Sequence, residues 1–163
     1  MNAVAGWSDF LAASAATVGA LVGLVFVSLS INLSRILELP GVASRAGETL
    51  IVLAGALAGA LLALIPDMPP SRLGAILLIV AVPTWLIPIV IQGRTLRARA
   101  YQNGSLLAMR MLLHQSATLP GVLAGLSLGG LLPGGLGWFA LGIIASILVA
   151  LLNAWVLLVE ILR

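Results

Sequence analysis

Residues Phe10 to Ser34 form a run of twenty-five residues without Asp, Glu, Lys or Arg, bounded by Asp9 and Arg35. About 20 apolar residues suffice for a helix to cross the hydrocarbon core of a bilayer. A soluble domain has no use for a longer uncharged segment. The run is therefore read as a membrane span, and the other apolar stretches as its partners. Composition points the same way: 61% of the 163 residues are hydrophobic and 8% are charged, where a soluble domain carries roughly 25% charged residues. The expected class is an all-α, polytopic transmembrane helical bundle forming a single domain over residues 1–163.

Hydropathy and turn signals divide the chain into five expected spans, at about 10–34, 49–66, 73–92, 108–132 and 136–159. Leu39-Pro40-Gly41 marks a turn inside a connector over 35–48, and Pro66-Asp67-Met68-Pro69-Pro70 makes a short stiff link before the third span. Arg94, Arg97, Arg99 and Arg110 flank Asn103-Gly104, a turn dipeptide. Residues 94–110 therefore read as a helical hairpin projecting from the membrane, its arginines placed against lipid headgroups. Pro83 and Pro88 lie inside the third span, and each removes a backbone hydrogen bond and bends the helix. Pro120 interrupts the fourth, which leaves four spans plus a re-entrant segment as the competing arrangement.

Small residues recur at helical spacing. Gly19 and Gly23, then Gly55 and Gly59, form G-x-x-x-G pairs; Gly121, Gly125 and Gly129 make a stripe on the fourth span, and Gly142, Ser146 and Asn153 one on the fifth. Such stripes let helix backbones approach closely, and an intramembrane Asn hydrogen-bonds another helix. Thr17, Ser28, Asn32 and Arg35 align on one face of the first span. That face reads either as interhelical hydrogen bonding or as a wetted, pore-lining stripe.

Arginine bias orients the bundle. Placing the 94–110 hairpin in the cytoplasm leaves only Arg72 of the eight arginines outside, with the N-terminus outside and the C-terminus inside. The residues before Asp9 lack the basic segment of a secretory signal, so the first span is expected to be retained. The net charge of +3 sits beside spans, which indicates anionic headgroups rather than nucleic acid.

The chemistry excluded is extensive. There is no Cys, hence no disulfide, thiolate or iron–sulfur site, and one His with no Cys completes no metal site. No acidic residue is expected at mid-span, where ion-coupled transport would use one. No catalytic motif and no cofactor signature is present, so the chain reads as non-enzymatic. Two functions remain: a structural, accessory or regulatory subunit acting through helix–helix contacts with other subunits or copies of itself, or a homo-oligomeric channel whose first span lines the pore.

Trp7-Ser8-Asp9-Phe10, the run Gly23-Leu24-Val25-Phe26-Val27-Ser28-Leu29-Ser30-Ile31-Asn32-Leu33, Ile36, Leu39-Pro40-Gly41 and Arg45-Ala46 resemble the opening of a family of small, mostly uncharacterised bacterial multi-span inner-membrane proteins. Some of its members are labelled modulators of the membrane-anchored AAA protease. The resemblance covers the first third of the chain. It implies the bacterial inner membrane and a regulatory, non-enzymatic role, and carries no functional residues with it. Single cysteines at Gly104 and Gly134 are expected to react with an impermeant thiol reagent from opposite sides of the membrane; reaction from one side would rule out a full fourth span.

Overall fold

The computed structural model describes residues 4, 6–39, 41–97 and 104–162. Among them no strand occurs, and six helices follow one another: α1 (Ser8–Ile31), α2 (Leu33–Glu38), α3 (Val42–Ala63), α4 (Pro70–Arg97), α5 (Gly104–Leu128) and α6 (Leu136–Leu162).

The first expected span, 10–34, is broken near its end. Asn32 leaves helical geometry (φ −104°, ψ 15°), and its Nδ2 donates to the Ser28 carbonyl at 2.9 Å. Asn and Asp side chains compete with the helix for backbone partners in this way. The expected connector over 35–48 is in fact largely helical. α2 folds back so that Ile36 packs on Val42 and Ala46, and α3 begins at Val42, seven residues before the expected start at Thr49. Gly41 supplies the left-handed turn between them (φ 82°), a conformation that costs a glycine little. Arg45 and Glu48 thereby move from a connector into the first two turns of a helix.

α3, α4, α5 and α6 close into a ring in which each helix is antiparallel to its neighbours, and α1 lies outside the ring against α3. Leu53, Ala60, Leu73, Leu77, Ala124 and Ile143 fill the ring, each at most 1% exposed. The outer surface is the reverse: Leu24, Ile31, Ile79 and Leu112 are between 69% and 77% exposed. Such a surface is unsuited to water and suited to lipid. Four helices are long and apolar enough to cross a membrane: Ser8–Ile31, Val42–Ala63, Pro70–Arg94 and Leu136–Val156. α5 is the long helix outside that set. Arg110, His114, Gln115, Ser116 and Thr118 lower the hydropathy of its first half. Pro120 does not interrupt it, because α5 runs unbroken from Gly104 to Leu128.

Both prolines of α4 also sit within a continuous helix. Each proline removes the helical bond to the carbonyl four residues earlier, Ile79 for Pro83 and Thr84 for Pro88, and the side-chain contacts fall on the next carbonyl along. Thr84 Oγ1 donates to the Val80 carbonyl at 2.8 Å ahead of Pro83, and His114 Nε2 lies 3.2 Å from the Trp85 carbonyl ahead of Pro88. α5 ends in a Schellman motif, with Gly130 at φ 84°, Gly130 N–H on the Ser127 carbonyl at 3.0 Å and Leu131 N–H on the Leu126 carbonyl at 3.0 Å.

The glycines divide by use. A Cβ on Gly55 would collide with Thr84, and one on Gly59 would lie 2.6 Å from Phe139 Cζ, so this pair seats α3 against α4 and α6. Gly125 faces Gly74 across the α4–α5 crossing; a Cβ on Gly74 would lie 2.7 Å from the Gly125 carbonyl oxygen and 2.9 Å from Gly129 N. A Cβ on Gly142 would lie 3.4 Å from Gly121 N. Gly19 and Gly23 do not serve this purpose within the chain. Gly19 has only Leu57 Cδ1 at 3.9 Å, and Gly23 has nothing within 4 Å. Gly74→Ala and Gly125→Ala are each expected to lower stability by about 1–3 kcal/mol through forced backbone separation. Gly23→Ala should change it by less than about 0.5 kcal/mol, as read from denaturant unfolding in micelles.

Candidate functional site

One end of the ring carries a buried polar cluster drawn from all four helices. On α3, Arg45, Glu48, Thr49 and Val52 recur at three- and four-residue steps and so share a face directed into the ring. α5 presents Arg110, Leu113, His114 and Ala117 in the same way. Gln92 comes from the last turns of α4, and Asn153 from those of α6.

Glu48 is the hub. Arg110 grips it with a two-pronged fork, Nη2 to Oε1 at 2.7 Å and Nε to Oε2 at 3.2 Å, and Gln92 Nε2 donates to Oε2 at 2.9 Å. The side chains of Arg110 and Glu48 are 9% and 6% exposed. Charge-assisted, bidentate bonds of this kind are the strong ones, and α3, α4 and α5 meet in this single carboxylate. α6 joins through a second chain of bonds: Asn153 Nδ2 donates to Thr49 Oγ1 at 3.1 Å, and Thr49 Oγ1 donates to the Arg45 carbonyl at 3.0 Å. About two turns deeper, Trp85 Nε1 donates to Gln115 Oε1 at 2.6 Å, and Ser146 Oγ donates to the Ala117 carbonyl at 3.1 Å. For His114 to donate to the Trp85 carbonyl its proton must lie on Nε2. Thr118 Oγ1 caps the same turn by donating to the His114 carbonyl at 2.8 Å.

Beside this cluster the four helices line a partly open cavity of about 300 Å³, bordered by Arg45, Glu48, Gln92, Leu113, Val149 and Asn153 among others. Among the described residues, no group of three or more His, Asp or Glu gathers to hold a metal ion. The Glu48 carboxylate is committed to three donors, which leaves it poorly placed as a general base. The arrangement ties α3, α4, α5 and α6 together through side-chain hydrogen bonds.

The residues singled out from sequence fare differently. Arg110 was expected at lipid headgroups; it is instead buried in the ion pair, because Glu48 sits opposite it once α3 starts early. Arg94 is exposed at the end of α4. The Arg97 side chain and Arg99 lie outside the described residues. Thr17, Ser28 and Arg35 are exposed and Asn32 is half-buried, so the structure places this stripe on the outside of the chain and away from the cluster. Its polar groups turn to their own helix: Thr17 Oγ1 to the Ala13 carbonyl at 2.8 Å, and Arg35 to Glu38 at 3.5 Å. Glu48, Gln92, Thr49 and Arg45 are the functional candidates that sequence reasoning passed over. Glu48 and Gln92 stand at predicted ends, and nothing in a single sequence links position 48 to position 110.

Glu48→Ala should cost about 3–5 kcal/mol by leaving Arg110 buried without its counter-charge. The Glu48→Ala/Arg110→Ala pair should show a coupling of about 0.5–3 kcal/mol in a double-mutant cycle. Glu38→Ala, at the exposed Arg35 pair, should cost under about 1 kcal/mol. Comparison with protein-family models, with curated proteins and with solved structures finds no match.

Proposed function

We propose that this chain is a non-enzymatic accessory or regulatory subunit of the bacterial inner membrane that acts through helix–helix contacts, with α1 as its docking helix. The observation that carries the reading is the isolation of α1. Within the chain it packs chiefly on α3, while Ala12, Ala13, Ala16, Thr17, Ala20 and Gly23 remain exposed along its outer side. A small-residue face in lipid is the surface on which another transmembrane helix can approach closely. The N-terminal third resembles a mostly uncharacterised family some of whose members are labelled protease modulators, and that resemblance implies a regulatory role.

Five spans, with the N-terminus outside and the C-terminus cytoplasmic, suit this reading. α5 runs the whole length of the ring, with Gln115 beside Trp85 at one level and Gly125 beside Gly74 at another. Its polar residues His114 and Thr118 are buried in the ring rather than turned to lipid. Arg35, Arg45, Arg94 and Arg110 belong to the helix ends on one side, and Arg72 stands at the other. The positive-inside rule then puts the polar cluster on the cytoplasmic side.

The test is in situ crosslinking. A single cysteine at Gly23 or Ala16 should crosslink to a second chain in native membranes, and one at the lipid-facing Ile79 should not. Ala20→Trp should reduce the association about tenfold or more while leaving the helical content unchanged. Equal crosslinking at all three positions, or at none, would overturn the docking role of α1. Ion flux through liposomes holding the purified chain alone, lowered by Asn32→Ala, would replace it with the pore reading.

A further inference from the structure

α1 carries two seams side by side. Leu11, Ala15, Val18, Val22, Val25 and Leu29 step by four and three along the side that enters the core of the chain. A second set with the same spacing lies next to it: Ala12, Ala16, Gly19, Gly23, Phe26 and Ser30. Steps of three and four are the spacing of a seam between two packed helices. All six are exposed except Gly19, which is half-buried. Gly19 shows where this second seam runs, since a Cβ there would lie 3.9 Å from Leu57 Cδ1 of α3. On α3 the matching stripe is Ala43, Gly47, Leu50 and Ala54.

Towards Arg35 the two stripes part around a groove of about 330 Å³. Phe26, Ser30 and Leu33 stand on one side of it, and Ala43, Gly47 and Leu50 on the other. A Cβ on Gly47 would meet nothing within 4 Å. Ser30 Oγ donates to the Phe26 carbonyl at 2.8 Å, so the one hydroxyl in the groove is already satisfied. The Phe26 ring at its edge is 62% exposed. One surface therefore offers, at one depth, both a bulky apolar knob and the space for one.

That combination selects the occupant. Copies of one chain enter the membrane in the same orientation and present the same residues at the same depth. A two-fold contact pairs a patch with itself, so the patch must be self-complementary. The small residues from Ala12 to Gly23 let two α1 backbones approach closely. At the next level the ring of each copy has the other's groove to enter, over Gly47. Neither stripe contains Asp, Glu, Lys or Arg, so two copies set no like charges against each other. A foreign helix would have to supply both the knob and the hole at this depth. Area agrees: α1 is about 36 Å long, and a helix seated about 8–10 Å away covers a strip some 20 Å wide, or about 700 Å² on each copy, close to the roughly 800 Å² per partner of a stable interface.

We infer that the partner of α1 is a second copy of this chain, in a parallel two-fold dimer with α1 of each copy seated between α1 and α3 of the other. The inference rests on the docking role of α1 proposed above and names its partner.

The experiment co-expresses two differently tagged full-length copies, one with Phe26→Cys and the other with Gly47→Cys, and treats the membranes with a short bifunctional thiol reagent. This pair should crosslink at least ten times more than Phe26→Cys with Ile79→Cys. Self-association of the purified chain is then read by fluorescence energy transfer between labelled copies in proteoliposomes. Gly47→Phe, which fills the groove, and Phe26→Ala, which removes the knob, should each raise the dissociation constant of the dimer about tenfold with helical content unchanged. Equal crosslinking of Gly47→Cys and Ile79→Cys to Phe26→Cys, or a dissociation constant unmoved by both variants, would overturn the dimer. Crosslinks from Gly23→Cys that join the chain only to a protein of another mass would also overturn it while leaving α1 a docking helix; no crosslink from either Gly23→Cys or Ala16→Cys would remove both.

Discussion

In lipid, apolar side chains gain nothing by leaving one helix surface for another, since the solvent is as apolar as they are. What holds such a bundle is close packing and polar contact. This chain uses the two at different heights of the same ring. Where Gly74 meets Gly125 the backbones approach closely enough that a methyl group would not fit, and over Gly59 the Phe139 ring fills that space. At the arginine-rich end, where Glu48, Gln92 and Arg110 meet, the helices stand further apart around a cavity and are tied by charge. The ring's closure depends on both, because packing at one height leaves the other free to splay.

The position of Glu48 follows from this division. A carboxylate so deeply buried is costly unless every charge and donor about it is matched. Three helices must therefore arrive in register for it to be satisfied: α3 carrying the acid, α5 the guanidinium and α4 the amide. A shift of α5 by one residue would carry Arg110 about 100° around its axis and break the fork. The ion pair thus specifies which turn of each helix faces which. α6 adds its own check through Asn153 and Thr49. Glu48, Gln92 and Arg110 also border the cavity, so the residues that set the register line it.

α1 differs from the ring in kind. It shares the hydropathy of the other spans, but its glycines meet no partner at close range and its hydroxyl and amide groups return to carbonyls of the same helix. Polar groups satisfied in this way need neither water nor another helix. A sequence stripe of Thr17, Ser28 and Asn32 therefore does not by itself distinguish a lipid-facing helix from one at an interface. The G-x-x-x-G at Gly19 and Gly23 looks the same in sequence as that at Gly55 and Gly59, yet only the second is filled within the chain. The motif records that approach is permitted and is silent about who approaches.

Much of the architecture is legible without coordinates, because lipid imposes simple demands on the chain. Length and absence of charge mark the apolar helices, glycine and proline mark the turn at Gly41, and arginine asymmetry separates the two ends. Asn153 and Ser146 could be read as polar residues inside a helix that would need partners, though the partners themselves, Thr49 and the Ala117 carbonyl, could not. Charge misleads at the ends of spans: Glu48 and Arg110 look like surface residues because hydropathy is averaged over a window, whereas burial is a property of the pair. Their separation of sixty-two positions is bridged only when α3 and α5 are set beside α4. Local physics, which acts through neighbours in sequence, decides where helices form and what solvent they suit; which faces meet, and so where the ion pair and the cavity lie, is decided by contacts between residues that only the folded ring brings together.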